Sequence, residues 1–371
     1  MSPPAVALIP GFFGFDHRGD TTYFADRFVA GLRGVLETRG LENVPVLSVS
    51  TLGIGSLRER QRDLLTELRA LERAPKLGGP RSWHLVGHST GGVDAALLLR
   101  ESPLDQNARE TKLARDGWGP WEDLVSRIAS VTTISAPHFG TGLAEAPLAR
   151  FVAGQRWPLP LADLARGSLD LVRRGDLASR LEFAFGAAPA LKQMPFFFWH
   201  LLLMNQLAAD LRPVVLSALS SQPLRRSAEG RIFSVATVAP RPAQDHSDKL
   251  FRDLWHWTHH GSEHALALPH AATAALDDPT LRLPCQRSLS LPPVSETDSD
   301  GVATTKRQVL GELIGVVVGD HVDVLGRYRR ASLVDGKIID PGLLTSGAEF
   351  GDNEFFELLS RIGERIARAA H

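Results

Sequence analysis

Short apolar runs recur along the chain with amphipathic stretches between them, and this alternation limits the fold more than any other feature. The runs AVALI (5–9), VPVLSV (44–49), WHLVGHS (83–89) and ASVTTIS (129–135) have strand length, and IFSVATV (232–238) and IGVVVG (314–319) extend the series. Their near-continuous apolarity is that of strands buried on both faces. Between them, Phe24–Arg39 and Leu57–Glu72 carry apolar residues at helical spacing, and EFFELLSRIGERIARAA (354–370) reads as a closing amphipathic helix. Such alternation predicts an α/β fold, with a mostly parallel central sheet covered by helices on both faces.

One stretch interrupts the pattern. From Leu143 to about Ser221 there are helical patterns and turn signals but no convincing strand, so the segment reads as a helical insertion, 143–221, in a single domain spanning 1–371. Its most apolar part, PFFFWHLLL (195–203), is about half the ~20 residues that a membrane-spanning helix needs. The sequence therefore predicts no transmembrane segment.

Composition excludes several function classes. Lys and Arg total 41 against 42 Asp and Glu, which leaves no positive field to hold a nucleic-acid backbone. The single cysteine, Cys285, excludes an intrachain disulfide and any multi-cysteine metal site. The start, MSPPAVALIPGFFGF, has neither a basic n-region nor a small-residue cleavage site, so the expectation is a cytoplasmic protein, or a secreted one whose signal has been removed.

Chemistry concentrates at Gly87-His88-Ser89-Thr90-Gly91, between the strand-like WHLV and the helix-like Val93–Arg100. Glycines two residues either side of a serine suit a strained strand-to-helix turn that lifts the hydroxyl above a sheet, over a helix N-terminus that favours developing negative charge. A serine hydroxyl attacks only when a base takes its proton, so a histidine and an orienting carboxylate are required elsewhere. The downstream sequence supplies Asp300-Gly301 in a loop, then TTKRQVLGEL with a helical pattern, then a strand and Asp320-His321-Val322-Asp323. His321 is the expected base. Asp300 is the expected acid, with Asp298 the alternative, because Asp320 adjoins His321 in sequence and is badly placed to reach the far ring nitrogen. Oxyanion donors are expected from the backbone N–H groups of Thr90 and of Phe12, the latter in the loop Pro10-Gly11-Phe12-Phe13-Gly14.

Taken together, PGFFGFD, GHSTGG, SAPHFGT (135–141), SDG (299–301) and DHVD (320–323) make the chain similar to the bacterial true lipases of the α/β-hydrolase superfamily. The matches are spread over most of the chain, with Pro10-Gly11 where those lipases usually carry His-Gly. The resemblance implies an α/β-hydrolase fold, the chain order Ser, acid, His, and hydrolysis of lipid or small-molecule acyl esters with transient contact at a lipid interface. A polyester depolymerase or acyltransferase would use the same triad, and a non-catalytic scaffold would need no triad at all. No cofactor is needed for this chemistry. In these lipases a structural calcium ion sits beside the catalytic histidine, and Asp278 and Asp323 match two of its carboxylate ligands, although Asp278 could equally cap a turn and Asp323 a helix. Within the insertion, Phe196, Phe197, Phe198, Trp199, Leu201, Leu202 and Met204 would pack as core or form an apolar lid and acyl pocket. The histidines of WHWTHHGSEH (255–264) read as a solvated polar loop rather than a zinc site, and His138 as an element of the pocket edge.

Overall fold

A computed structural model describes residues 2–11, 17–18, 21–52, 55–75, 77–101, 121–145, 205–242, 247–259, 268, 274–283, 293–328, 330–331, 338–340 and 344–370. Six strands form one sheet: β1 (Pro4–Ile9), β2 (Val46–Ser48), β3 (Ser82–His88), β4 (Ile128–Ile134), β5 (Ile232–Val238) and β6 (Glu312–Val318). Each coincides with one of the apolar runs. The spatial order is β2-β1-β3-β4-β5-β6, and every neighbouring pair is parallel.

Among the described residues the α-helices are α1 (Asp26–Thr38), α2 (Leu57–Arg73), α3 (Thr90–Leu97), α4 (Glu122–Ser126), α5 (Asn205–Asp210), α6 (Pro213–Ser220), α7 (Lys249–Thr258) and α8 (Asp352–Ala370). Successive strand side chains point to opposite faces, and β1 shows what each face meets. Val6 and Leu8 pack in one cluster with Phe28 and Leu32 of α1 and Phe355 and Leu359 of α8. Ala5, Ala7 and Ile9 pack in another with Leu64, Leu65 and Leu68 of α2 and Ala95 and Ala96 of α3. Helices thus cover both faces, as the apolar runs required, and each fully buried Leu or Phe contributes roughly 1.5–3 kcal/mol.

Strand order reverses between β1 and β3, since β2 lies outside β1 while β3 and all later strands lie on its other side. A crevice opens at such a switch point beyond the carboxyl ends of the strands, which is where parallel sheets bind ligands. The turn after β1 and the turn after β3 both end there.

Three expectations need correction or limits. TTKRQVLGEL is not a helix, because only Thr305–Gln308 forms a 3₁₀ turn, and Gly311 then adopts φ +75° before β6 begins. Of the polar loop at 255–264, Trp255–Thr258 lie in α7, and the ring nitrogens of His259 sit 2.6 Å from the carbonyl oxygens of Trp255 and Thr297. Of the expected 143–221 insertion, residues 146–204 lie outside the described residues, and α5 and α6 lie near its end, where Leu207 and Leu216 pack with Val93 and Leu97 of α3. The apolar run of Phe196, Phe197, Phe198, Trp199, Leu201, Leu202 and Met204 lies outside the described residues, as do Phe12 and Cys285. Among the described residues no helix is long and apolar enough to cross a membrane.

Candidate active site

Ser89 sits between the end of β3 and the start of α3 with φ 55° and ψ −129°. A non-glycine residue there is strained by roughly 1–3 kcal/mol, and the surroundings must hold it. They do so by close backbone approach. A Cβ at Gly87 would lie 2.4 Å from the carbonyl oxygen of Gly91, and one at Gly91 would lie 2.4 Å from that of Ile9, so a side chain at either position would force the turn open. The Ser89 N–H donates to the Ile134 carbonyl at 2.9 Å, which ties the turn to β4.

His321 follows β6 in a tight turn. Its Nε2 is 2.9 Å from Ser89 Oγ, and its Nδ1 is 2.8 Å from Asp300 Oδ2. The carboxylate can only accept, so Nδ1 carries the proton and Nε2 presents its lone pair to the serine hydroxyl. The His321 N–H also donates to the Asp300 carbonyl oxygen at 3.1 Å, so backbone and ring are both registered against the acid loop.

Asp300 is fully buried in that loop, between β5 and β6. Oδ1 accepts from the N–H groups of Val302 (2.9 Å) and Ala303 (2.8 Å). Around Oδ2 stand Thr237 Oγ1 at 2.7 Å, Gln308 Nε2 at 3.2 Å and the His321 ring. This concentration of donors is what permits a carboxylate in a water-free position. The rival acids have local tasks. Asp298 Oδ2 accepts from the Ser295 N–H at 2.8 Å, and Asp320 Oδ1 accepts from the N–H groups of Val322 and Asp323 at 3.0 and 3.1 Å.

Sequence reasoning missed the groups that support these residues. Thr237 and Gln308 are distant in the chain from one another, and only the fold brings them to Asp300. On the other flank, a buried ion pair joins Arg60 of α2 to Asp94 of α3, with Nε 2.8 Å from Oδ2. The same guanidinium donates to the carbonyl oxygens of Pro10 (3.1 Å) and Gly11 (3.2 Å), which fixes the turn after β1 beside the nucleophile. Burial pushes the Asp94 carboxyl up to about 6, against the opposing pull of Arg60. His138 is buried with Nε2 3.0 Å from Thr133 Oγ1, and burial holds it neutral, with its pKa lowered to about 3. It is a core group, not a wall of an open pocket.

Thr90 opens α3, where the first N–H groups of a helix have no partner within the helix itself. Its amide is therefore available to an oxygen bonded at Ser89. The second expected donor, Phe12, adjoins Gly11, and a Cβ on Gly11 would come within 2.7 Å of Ser89 Cβ.

The expected calcium ligands, Asp278 and Asp323, each have hydrogen-bond partners of their own. Asp278 is exposed, and its Oδ1 accepts from the N–H (2.8 Å) and hydroxyl (2.7 Å) of Thr280, capping a turn. Asp323 is buried, with Oδ2 accepting from the Asp320 N–H at 2.9 Å. Among the described residues no group of three His, Cys, Asp or Glu side chains is arranged to hold a metal ion.

No protein-family model matches the chain, and no curated protein matches it. Among solved structures it is similar to EstA from Clostridium botulinum, with 16% identity, TM-score 0.48, and coverage of 97% of this chain and 88% of that one. It is also similar to a metagenomic carboxyl esterase, with 15% identity, TM-score 0.47, and coverage of 99% and 76%. A lipase from Staphylococcus hyicus has 14% identity, TM-score 0.46, and coverage of 99% and 96%.

Proposed function

We propose that the chain is a serine hydrolase of carboxylic esters, a lipase or lipase-like esterase. The observation that carries this reading is the continuous line from Asp300 Oδ2 through the His321 ring to Ser89 Oγ, with steps of 2.8 and 2.9 Å. A strained serine at the carboxyl edge of a parallel sheet, aligned with a base and a buried acid, suits acyl transfer.

In the first step Ser89 Oγ attacks the ester carbonyl carbon while His321 Nε2 takes the hydroxyl proton. The carbonyl π electrons move to oxygen, and the Thr90 and Phe12 N–H groups stabilise that oxyanion. Asp300, beside Nδ1, stabilises the imidazolium without taking its proton. Collapse of the tetrahedral intermediate expels the alcohol, protonated by His321, and leaves an acyl-serine. Water then attacks the acyl carbon through the same base, releasing the acid and restoring Ser89. No metal takes part in any step. The apolar residues 196–204, expected as a lid or acyl pocket, lie outside the described residues.

Purified Ser89→Ala protein tests the assignment directly. It should lose at least about 10³-fold in kcat on p-nitrophenyl esters, with an unchanged melting temperature. Retention of wild-type hydrolysis would exclude Ser89 as nucleophile. A series from acetate to palmitate esters then separates a small-ester hydrolase from a lipase.

A further inference from the structure

We propose that His88, the residue immediately before the nucleophile, is a positioning residue whose imidazole links the backbone carbonyl of His321 to the phenol of Tyr23 and so fixes the base over Ser89. This inference rests on the ester-hydrolase reading above.

His88 ends β3 and is 1% exposed. Its Nε2 is 2.7 Å from the His321 carbonyl oxygen, and its Nδ1 is 2.8 Å from Tyr23 Oη. A carbonyl oxygen only accepts, so Nε2 must carry a proton. The neutral ring then has a lone pair at Nδ1, which takes the Tyr23 hydroxyl proton. Tyr23 is buried in turn, and the Gly11 backbone forms a hydrogen bond to its oxygen. A single line thus runs from the end of β1 through Tyr23 and His88 to the His321 carbonyl.

The link completes the restraint on the catalytic loop. The His321 amide is held by the Asp300 carbonyl, while its own carbonyl is held by His88, so the peptide groups on both sides of the base are fixed. The charge state matters as well, because the two imidazoles lie 4.7 Å apart. Burial and the neighbouring His321 push the His88 pKa well below 6.5. An uncharged His88 does not repel the imidazolium that forms on His321 during attack. Inert packing would not require a donor aimed at the carbonyl of the base.

The variants His88→Gln, His88→Asn and Tyr23→Phe separate positioning from packing. Gln places an amide N–H near the position of Nε2 and can keep the bond to the His321 carbonyl, whereas Asn is too short. His88→Asn should lower kcat on a p-nitrophenyl ester about 10–100-fold, in keeping with the cost of a misplaced base, with KM within about twofold. His88→Gln should recover to within about fivefold of wild type, and Tyr23→Phe should lose about 3–10-fold. Independently of activity, nitrogen-15 spectra of the wild-type ring should show His88 as the Nε2–H tautomer, without titration from pH 5 to 8. An undiminished His88→Asn in an active enzyme, a titrating His88, or an Nδ1–H tautomer overturns the proposal alone. If His88→Asn fails to fold, Tyr23→Phe and the ring spectrum carry the test, and wild-type kcat in Tyr23→Phe then overturns it. A wild-type protein that neither hydrolyses esters nor reacts with a fluorophosphonate at Ser89 overturns the hydrolase reading itself.

Discussion

Asp300 illustrates how much of a single side chain's role is set by what surrounds it. Its oxygens take five donor contacts in a fully buried position, and only one of these is the histidine. Asp300→Asn keeps the shape but offers a donor where His321 Nδ1–H needs an acceptor, so the imidazole is driven toward the wrong tautomer. The expected result is a loss of about 10³–10⁴ in kcat with KM little changed, read by steady-state ester hydrolysis. Asp300→Ala should add a loss of thermal stability, since the amides of Val302 and Ala303 would be left without their acceptor. Ser89 and His321 were expected because each follows a strand end with small or turn-forming neighbours, and Asp300 because it precedes the segment and strand that deliver His321. Tyr23 was not legible, because the bond that gives it meaning reaches His88 across 65 positions and no local pattern marks it.

Among the elements, α2 and α3 are joined by more than apolar packing. Arg60 and Asp94 form an ion pair in which neither side chain is exposed, and Arg60 also grips the turn after β1. Removing one partner strands the other charge in the interior. Arg60→Leu should therefore cost about 3–5 kcal/mol in chemical denaturation, whereas the Arg60→Leu/Asp94→Leu double variant should regain most of that loss. The double variant should still hydrolyse esters more slowly than wild type, because the β1 turn has lost its clamp. The six strands of the parallel sheet and the helices α1, α2, α3 and α8 were legible from period and burial. The TTKRQVLGEL segment misled because its apolar spacing suits a helix, yet Gln308 is drawn inward to Asp300 and Gly311 turns the chain into β6. The Arg60–Asp94 pair escaped notice for a different reason. Charged residues on amphipathic patterns are ordinarily assigned to the solvated face, and only the close packing of α2 on α3 reveals that these two are inside.

At the scale of the whole molecule, a sheet covered on both faces leaves its polar strand residues no access to water. His84 of β3 is fully buried, with Nδ1 2.8 Å from Ser130 Oγ, and burial lowers its pKa from 6.5 to about 4. A base with a depressed folded pKa contributes stability that is fully present above 6.5 and is lost as pH falls toward 4. His84→Leu should therefore lose about 2 kcal/mol less than wild type between pH 7 and pH 5, measured by urea unfolding at both values. Equal losses in the two proteins would show that His84 is solvated in the folded state.

The distribution of the site over the parallel strands also has a consequence in time. Ser89 and His321 are 232 positions apart, so at roughly 5–20 residues per second the base is synthesised about 10–50 s after the nucleophile. Throughout that interval the emerging chain holds a serine with no base to activate it. In the proposed mechanism, ester cleavage begins only once β6 has docked beside β5 and carried the histidine to the elbow. In that mechanism each new molecule gains its activity only after the last strand of its parallel sheet has been made.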